Sequence, residues 1–417
     1  MKKIFVLILI FVSLFSFAQD RKELGSQFIK NLFIEKNMEK AHTFFDQLMG
    51  GEVSPEDLKS LTNQLEGQLG TLKNILEVNN EKDVFYFYSD FSKTKLDIQI
   101  TFNENNKIIG FYFVPHKIFD KVDDKTVLKI KSSDIELKGI LLQPEQNNKK
   151  KLVILVHGSG ANDRDETIGE NKPFKDIAEY LLQNGISSYR YDKRTYSNPE
   201  TFNDNSTVEQ ETINDAVNIV NYFKSNENFK DYQIIILGHS LGAYLMPVIA
   251  AKTNVSKYVF MAGNARPLQN LLVEQFEYLH KIDPSKVSDK DVDTIKKQVD
   301  FLNSAKFNLN TTKNDLPMGA SAAYWKYLLD YKPLEAVKSI KVPMFFAQGG
   351  RDYQVTEKDF TLWKNQLKNN KLAEFKFYPS LSHLFINGSG ISSPKDYEIQ
   401  GNVDFAFLKD LVAFILK

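Results

Sequence analysis

Residues 233–252 read QIIILGHSLGAYLMPVIAAK, an apolar run, a serine flanked by glycines, and a second apolar run. The first run is typical of a buried strand, and the second has the composition and length of a helix. Between them, Gly238 to Gly242 fit the pattern G-x-S-x-G, in which a sharp strand-to-helix turn exposes the serine hydroxyl. This order of strand, turn and helix predicts that Ser240 is a nucleophile rather than a small residue in a tight turn.

A serine hydroxyl is a weak nucleophile, so the chain must also supply a base and a carboxylate that orients the base. In the chain order that accompanies this turn, both groups follow the serine. Only His280 and His383 do so, and His280 lies inside a charged, helical stretch. His383 follows the predicted strand AEFKFYP, at the carboxyl end where parallel sheets place functional groups. We therefore predict that His383 is the base.

The carboxylate is predicted at Asp352. The segment VPMFFAQGGRD ends an apolar strand with two glycines and then this aspartate, between the serine and the histidine. Asp359 comes seven residues later, in a predicted helix, and is expected to point elsewhere. An aspartate beside glycines is also typical of a turn or a helix N-cap, so that second interpretation of Asp352 stays open.

Two backbone N–H groups are predicted to bind the oxyanion of the reacting carbonyl. One belongs to Leu241, directly after the nucleophile and at the start of its helix. The other comes from HGSG at residues 157–160, which ends a buried strand. We predict Ser159 as this second donor, with Gly158 as a near alternative, because glycine permits close approach of the backbone. His157 precedes the serine and is interpreted as a structural histidine that holds the loop.

The pattern of the whole chain predicts two domains. From about residue 120 to 417, strands alternate with helices, which predicts a parallel sheet. Residues 267–338 interrupt this alternation with a charged helical stretch, which we interpret as a lid insertion over the sheet. Residues 21–117 instead show two helical segments followed by strand-like segments, the pattern of a small α+β domain. A length of 417 residues agrees with two domains.

The N-terminus has the three parts of a secretory signal peptide, predicted over residues 1–18. Lys2 and Lys3 precede an apolar run from residue 4 to 15, and small residues at 16 and 18 precede a cleavage site before Gln19. The alternative is an N-terminal membrane anchor, but the run is short for a spanning helix. We expect export to the periplasm or the cell exterior, without a stable membrane anchor.

Composition narrows the partners and cofactors. Lys plus Arg equals Asp plus Glu, with 53 of each, so no excess charge favours a nucleic-acid partner. The chain has no cysteine and six scattered histidines, a pattern without the spacing of a metal site. We therefore predict no metal and no nucleic-acid partner, and the sequence does not indicate the oligomeric state.

Taken together, HGSG, GHSLG, GGRD and SHLF resemble the α/β-hydrolase superfamily over residues 120–417. HGSGANDRDETIG and RYDKR are similar to a secreted bacterial branch related to dienelactone hydrolases and serine-aminopeptidase-like hydrolases. The N-terminal block resembles a small, cone-shaped, nuclear-transport-factor-like domain of unknown function. The resemblance implies an eight-stranded, mostly parallel sheet and no cofactor. Dienelactone hydrolases use a cysteine nucleophile, which this chain lacks, so a serine esterase is implied.

Three functions follow from these residues. The favoured one is cleavage of a small-molecule carboxylic ester through an acyl-enzyme on Ser240, Asp352 and His383. The second is a serine peptidase of the aminopeptidase type, or an acyl thioesterase, with the same triad. Thioesterase activity fits an exported protein poorly because coenzyme A is cytoplasmic. The third, of another class, is a non-catalytic binding protein on a hydrolase scaffold.

Two further groups of residues have alternative interpretations. The charged residues 163–166 could shape substrate entry or form paired surface charges. Those in residues 190–194 are interpreted as a structural ion-pair cluster, with contact to the substrate as the alternative. Aromatic residues of the insertion could line a substrate pocket, although packing in the core is their more common role. These aromatic residues are Phe276, Tyr278, Tyr324, Trp325 and Tyr327.

Overall fold

The computed structural model describes residues 21–81, 83–114 and 126–417. The chain forms two compact units, residues 1–121 and residues 122–417. The predicted signal peptide lies outside the described residues. So do residues 117–120, where we predicted the change from one domain to the next.

In the described part of the N-terminal unit, four helices are followed by a four-stranded antiparallel sheet in which the strands pair in chain order. The helices are α1 (residues 21–33), α2 (Met38–His42), α3 (Gln47–Glu52) and α4 (Pro55–Leu69). The strands are β1 (Leu72–Glu81), β2 (Val84–Phe91), β3 (Lys95–Phe102) and β4 (Ile108–Val114). The predicted α+β pattern is confirmed.

The local sequence signals predicted the start of α4 correctly, but they did not predict the strand β1. Ser54 caps α4 in a capping box with Asp57, and Pro55 occupies the first turn, as their spacing predicts. The strand β1 was not predicted, because its sequence LKNILEVNNE carries asparagines, which are depleted in strands. It forms because β2 pairs with it along its length, a tertiary contact that overrides local preference.

The C-terminal unit is built on an eight-stranded sheet with the strand order β12-β11-β10-β9-β7-β8-β6-β5. The neighbours from β7 to β12 pair in parallel, while β5 and β6 are antiparallel at one edge. This confirms the prediction of an eight-stranded, mostly parallel sheet. The strands are β5 (Val127–Ser132), β6 (Ile135–Leu142), β7 (Lys151–Val156), β8 (Ser187–Tyr191), β9 (Gln233–His239), β10 (Lys257–Met261), β11 (Met344–Gly349) and β12 (Ala373–Tyr378).

Helices cover the sheet and fill the predicted insertion. The helices are α5 (Pro173–Gln183), α6 (Arg194–Ser197), α7 (Asn214–Ser225), α8 (Leu241–Tyr244), α9 (Met246–Lys252), α10 (Leu268–Ile282), α11 (Asp289–Leu302), α12 (Ala322–Asp330), α13 (Pro333–Ala336), α14 (Glu357–Gln366) and α15 (Phe405–Leu416). A π-helical turn, Glu209–Ile213, precedes α7. The insertion between β10 and β11 contains α10 to α13, and its helical character is as predicted. Over the described ranges, no helix has both the length and the apolar character that crossing a membrane requires.

The core lies on both faces of this sheet. Along β9, Ile234 and Ile236 pack into one apolar cluster, and Ile235 and Leu237 pack into the other. Successive side chains of a strand point to opposite faces, so a strand buried on both faces is apolar throughout. This burial holds the central strands in place. Because these strands are parallel, the loops at their carboxyl ends lie along the same side of the sheet. These loops follow β7, β9, β11 and β12, and they contain the predicted site residues.

Candidate active site

Ser240 lies in a strained turn between β9 and α8. Its backbone has φ 51° and ψ −114°, in the left-handed region that residues with a side chain rarely adopt. Gly238 and Gly242 are required by close packing. A Cβ on Gly238 would lie 2.6 Å from the carbonyl carbon of Gly242, and a Cβ on Gly242 would lie 2.5 Å from the carbonyl oxygen of Val156. The elbow therefore forms only with glycine at both positions.

Asp352 and His383 lie together at the ends of β11 and β12. The carboxylate oxygen Oδ2 of Asp352 accepts a hydrogen bond from Nδ1 of His383 over 2.7 Å, and both side chains are buried. The other oxygen, Oδ1, accepts hydrogen bonds from the backbone N–H groups of Gln354 and Val355, each 2.9 Å long. One oxygen of Asp352 thus makes the contact expected of a residue that orients the histidine, and the other makes the contacts expected of a turn aspartate.

Ser240 is connected to the Asp352–His383 pair through His239, the residue before it in the chain. Nε2 of His239 donates a hydrogen bond to the carbonyl oxygen of His383 over 3.0 Å, and the two imidazole rings are 4.6 Å apart between centroids. Among the described residues, the Ser240 hydroxyl makes no hydrogen bond, to His383 or to any other group. In free enzymes, catalytic hydrogen bonds are often long and tighten only when substrate is bound.

The predicted oxyanion donors flank Ser240. The Gly158 N–H is occupied, because it donates to Oε1 of Glu166 over 2.6 Å, so the near alternative to Ser159 is excluded in this conformation. The N–H groups of Ser159 and Leu241 donate to no other group in the described part of the chain. Leu241 begins α8, where backbone N–H groups lack partners within the helix. Both N–H groups are therefore available to a ligand.

A cavity of about 540 Å³ opens over these groups, and Ser159, Ser240 and Leu241 line it. Helices α10 and α12 of the insertion form much of the opposite wall. Two of the five aromatic residues considered above, Tyr324 and Trp325, line this cavity, and Trp325 is also buried in the core. Tyr278 lines a separate cavity, and neither Phe276 nor Tyr327 borders the one over Ser240. The volume of this cavity suits a small organic substrate.

A second buried pair of an acid and a histidine was missed by the sequence analysis. Oε2 of Glu166 lies 2.9 Å from Nδ1 of His239, and the two side chains are each 2% exposed. Both ring nitrogens of His239 therefore face acceptors, the Glu166 carboxylate and the His383 carbonyl. When the ring is doubly protonated, its positive charge pairs with the Glu166 carboxylate. The available signal was a histidine inside the turn motif, at the end of an otherwise apolar strand.

This pair predicts a pH window for stability. Burial by itself raises the pKa of Glu166, but His239 holds it below the ordinary value of 4.5. Burial by itself lowers the pKa of His239, but Glu166 holds it above the ordinary value of 6.5. The Glu166 contribution is lost as pH falls through its lowered pKa, and the His239 contribution is lost as pH rises through its raised pKa. The stabilising contributions of Glu166 and His239 are therefore both present in full between pH 4.5 and 6.5.

Glu166→Gln keeps an oxygen for the Gly158 N–H but removes the charge. We expect its loss of unfolding free energy, measured by urea denaturation across pH, to be largest inside this window and smaller on both sides. Glu274→Gln is the matched control. The hydrogen bond from Arg266 lowers the pKa of Glu274, so its effect should fade only on the acid side. A loss that is equal at all pH values for Glu166→Gln would contradict the prediction.

The remaining predicted residues have structural roles. Nε2 of His157 donates to the carbonyl of Asp163, and burial lowers the pKa of His157 to about 4, so the ring is neutral and holds the loop. Nδ1 of His280 donates to the carbonyl of Val287 on the helical insertion. Asp359 is fully buried and binds Arg266 together with two backbone N–H groups, away from His383.

The charged loop after β7 corrects one interpretation. The charges of residues 163–166 are not all surface charges, because Asp165 and Glu166 are buried. The ion-pair cluster predicted for residues 190–194 is confirmed. Its pairs are Arg190–Asp165, Asp192–Arg164, Lys193–Glu211 and Arg194–Asp215.

The sheet order, the serine elbow and the helical insertion define an α/β hydrolase. The chain belongs to the family described as serine aminopeptidase, S33, whose family model matches residues 147–389. Residues 26–111 match a second family, described as a protein of unknown function (DUF3887). The N-terminal block thus matches a family of unknown function, as the resemblance implied.

One relative is similar over nearly its whole length. Esterase EstD from Thermotoga maritima is 31% identical over 405 residues, which cover 94% of each chain. Among solved structures, Est1E from Butyrivibrio proteoclasticus has a TM-score of 0.46 and 17% identity, covering 70% of this chain and 100% of that chain. An esterase from Pyrococcus furiosus has a TM-score of 0.45 and 17% identity, covering 72% and 96%. The family and the relative EstD make this protein a carboxylesterase-like hydrolase.

Proposed function

We propose that the protein is an exported serine esterase that cleaves carboxylic esters through an acyl-enzyme on Ser240, with Asp352 and His383 completing the triad. The observation that carries the proposal is the 2.7 Å hydrogen bond between buried Asp352 and His383 beside the strained turn of Ser240. A carboxylate on Nδ1 leaves Nε2 as the ring nitrogen that can accept the serine proton.

The proposed reaction has two halves. Oγ of Ser240 attacks the ester carbonyl while His383 takes its proton, and the N–H groups of Leu241 and Ser159 bind the oxyanion. The tetrahedral intermediate then expels the alcohol, which receives the proton from His383, and leaves the acyl group on Ser240. Water attacks this acyl-enzyme while His383 takes a proton from the water. The second tetrahedral intermediate then releases the carboxylic acid, and His383 returns the proton to Oγ of Ser240.

The charges of the cavity support a substrate without a free amino group. Glu211 is the one carboxylate among the described residues that line the cavity. Its charge is already compensated, because Oε1 is 2.5 Å from Nζ of Lys193 and Oε2 accepts a hydrogen bond from Tyr324. Lys313 at the rim is likewise paired, with Asp204. An uncharged ester of modest size therefore fits better than a charged amine.

An aminopeptidase is the second candidate, because the matched family is described by that activity. Such an enzyme needs an acid to hold the substrate ammonium group. Since Glu211 is engaged with Lys193 and Tyr324, the cavity offers no free carboxylate among its described residues. This observation favours the esterase.

Two assays test the proposal. A fluorophosphonate probe should label wild-type protein and not Ser240→Ala, in the full chain and in a chain of residues 120–417, to which we assign catalysis. Nitrophenyl esters should be hydrolysed far faster than aminoacyl anilides. Labelling of the Ser240→Ala variant would refute the nucleophile, and faster cleavage of the anilides would favour the peptidase. Failure of a folded 120–417 chain to label would show that the N-terminal unit contributes to the site.

Export is a separate part of the proposal and rests on residues 1–18. Protein recovered from outside the cytoplasm should begin at Gln19 when its N-terminus is sequenced. Recovery of only the uncleaved chain, beginning at Met1, would refute signal-peptide cleavage.

A further inference from the structure

The peptide unit between Gly158 and Ser159 contains the predicted oxyanion donor and is held from its other end. Its N–H belongs to Ser159, which lines the cavity beside Ser240. Its carbonyl oxygen, on Gly158, accepts a hydrogen bond from Nζ of Lys193 over 2.7 Å. In a trans peptide the C=O and the N–H point in opposite directions. Lys193 therefore holds the face of this peptide that lies opposite the substrate.

Lys193 is an unusual residue for such a place. Its side chain is 2% exposed, whereas lysine is almost never fully buried without a partner. The partner is Glu211, on the π-helical turn before α7, and π-helical turns are frequent at functional sites. The amide of Asn162 also reaches the Gly158 carbonyl, but over 3.3 Å and shared with two other carbonyls of the loop.

We propose that Lys193 is a positioning residue of the oxyanion hole, and that its ammonium group fixes the Gly158–Ser159 peptide so that the Ser159 N–H points at the reacting carbonyl. The proposal rests on the serine mechanism proposed above. Lys193 does not line the cavity, so it acts through the peptide and not on the substrate.

The physical effect has two parts. An oxyanion donor stabilises the transition state only if it is aimed in advance, and a bond to the opposite end of the peptide prevents rotation of the N–H. A positive charge on the carbonyl also polarises the peptide, which makes its N–H a stronger donor. Glu211 neutralises Lys193 at its far side and in turn binds Tyr324 of the cavity wall.

The test is the double variant Lys193→Met/Glu211→Gln. It removes both charges at once, and replacing a buried ion pair with neutral groups of similar volume is often tolerated. Loss of a single oxyanion donor costs about 10²–10³-fold in kcat, so a misaimed donor should cost about 10–10²-fold. We expect kcat for a nitrophenyl ester to fall by this amount while KM stays nearly unchanged.

Inhibitor binding separates positioning from general damage. A trifluoromethyl ketone, which forms a tetrahedral adduct with the serine, should bind more weakly in proportion to the loss of kcat/KM. The product carboxylic acid, which forms no adduct, should bind as in the wild type. Arg194→Met/Asp215→Asn is the matched control, because it also removes both charges of a buried ion pair, and Arg194 is the next residue of the chain and contacts neither Gly158 nor Ser159. Its folded fraction should keep wild-type kcat.

Each outcome decides the proposal. A wild-type kcat in the double variant, or equal weakening of the ketone and of the product acid, would overturn it. Failure of the Lys193→Met/Glu211→Gln protein to fold, beside a folded Arg194→Met/Asp215→Asn protein, would assign the pair to stability and would also overturn the proposal. If Ser240→Ala were itself active, the serine mechanism would fail, and that result is distinct from all of these.

Discussion

Replacing Ser240 with alanine is expected to reduce ester turnover by about 10⁴-fold or more, because the acyl-enzyme can no longer form. Stability should change little, since alanine and serine are similarly strained at φ 51°. The measurement is kcat for a nitrophenyl ester, together with the urea midpoint of unfolding. Ser240→Gly should be equally inactive but slightly more stable, because glycine adopts positive φ without strain.

Ser206→Ala is the matched control for this result. Ser206 lines the same cavity, and its hydroxyl accepts a hydrogen bond from the backbone N–H of Asn203 within a turn. Its loss should leave most of the activity, because no serine other than Ser240 lies in a strained elbow beside His239 and His383 in the described chain. Near-wild-type turnover by Ser240→Ala would end the nucleophile assignment.

Replacing Asp352 with asparagine is expected to lower kcat by about 10⁴-fold, while the stability loss stays within about 1–3 kcal/mol and the protein remains folded. Asparagine keeps the oxygen that binds the N–H groups of Gln354 and Val355, so the loop should keep its shape. Its amide nitrogen would face Nδ1 of His383, which favours the ring tautomer with a proton on Nε2, and that tautomer cannot accept the serine proton. The amide would also oppose Nε2 of Gln348, now bonded to Oδ2, at a cost of about 1–3 kcal/mol.

The control for Asp352→Asn must be an aspartate that accepts backbone N–H groups in the same way but has no contact with His383. Asp359 is the nearest carboxylate in the sequence, and Asp359→Asn breaks the pair between this fully buried side chain and the partly buried Arg266, which should cost about 3–5 kcal/mol of stability. Asp404→Asn is better matched, because the side chain of Asp404 accepts the backbone N–H of Ala406 at the start of α15, and among the described residues it has no histidine partner. Activity loss in a folded Asp359→Asn protein, with Asp352→Asn unaffected, would transfer the orienting role.

Much of the fold could be predicted because its signals are local. Alternation of strands with helices, the apolar run of β9 and the glycines around Ser240 each depend on residues a few positions apart. The chain order of serine, aspartate and histidine then restricted the choice of site residues to two histidines. The same reasoning failed at β1, whose polar sequence becomes a strand only by pairing with β2.

The sequence by itself determined most of the elements, their order along the chain, and the residue types available for catalysis. The tertiary structure alone decided which charges are buried and which atoms they contact. Glu166 meets His239, and Lys193 meets the Gly158 carbonyl, across 73 and 35 positions of the chain respectively. Neither contact has a periodic signal, because each joins loops that come together only when β7, β8 and β9 lie side by side. Burial of a charge is tolerated only when a partner compensates it. Because the sequence does not show the partner, it leads to the prediction that such a residue is exposed.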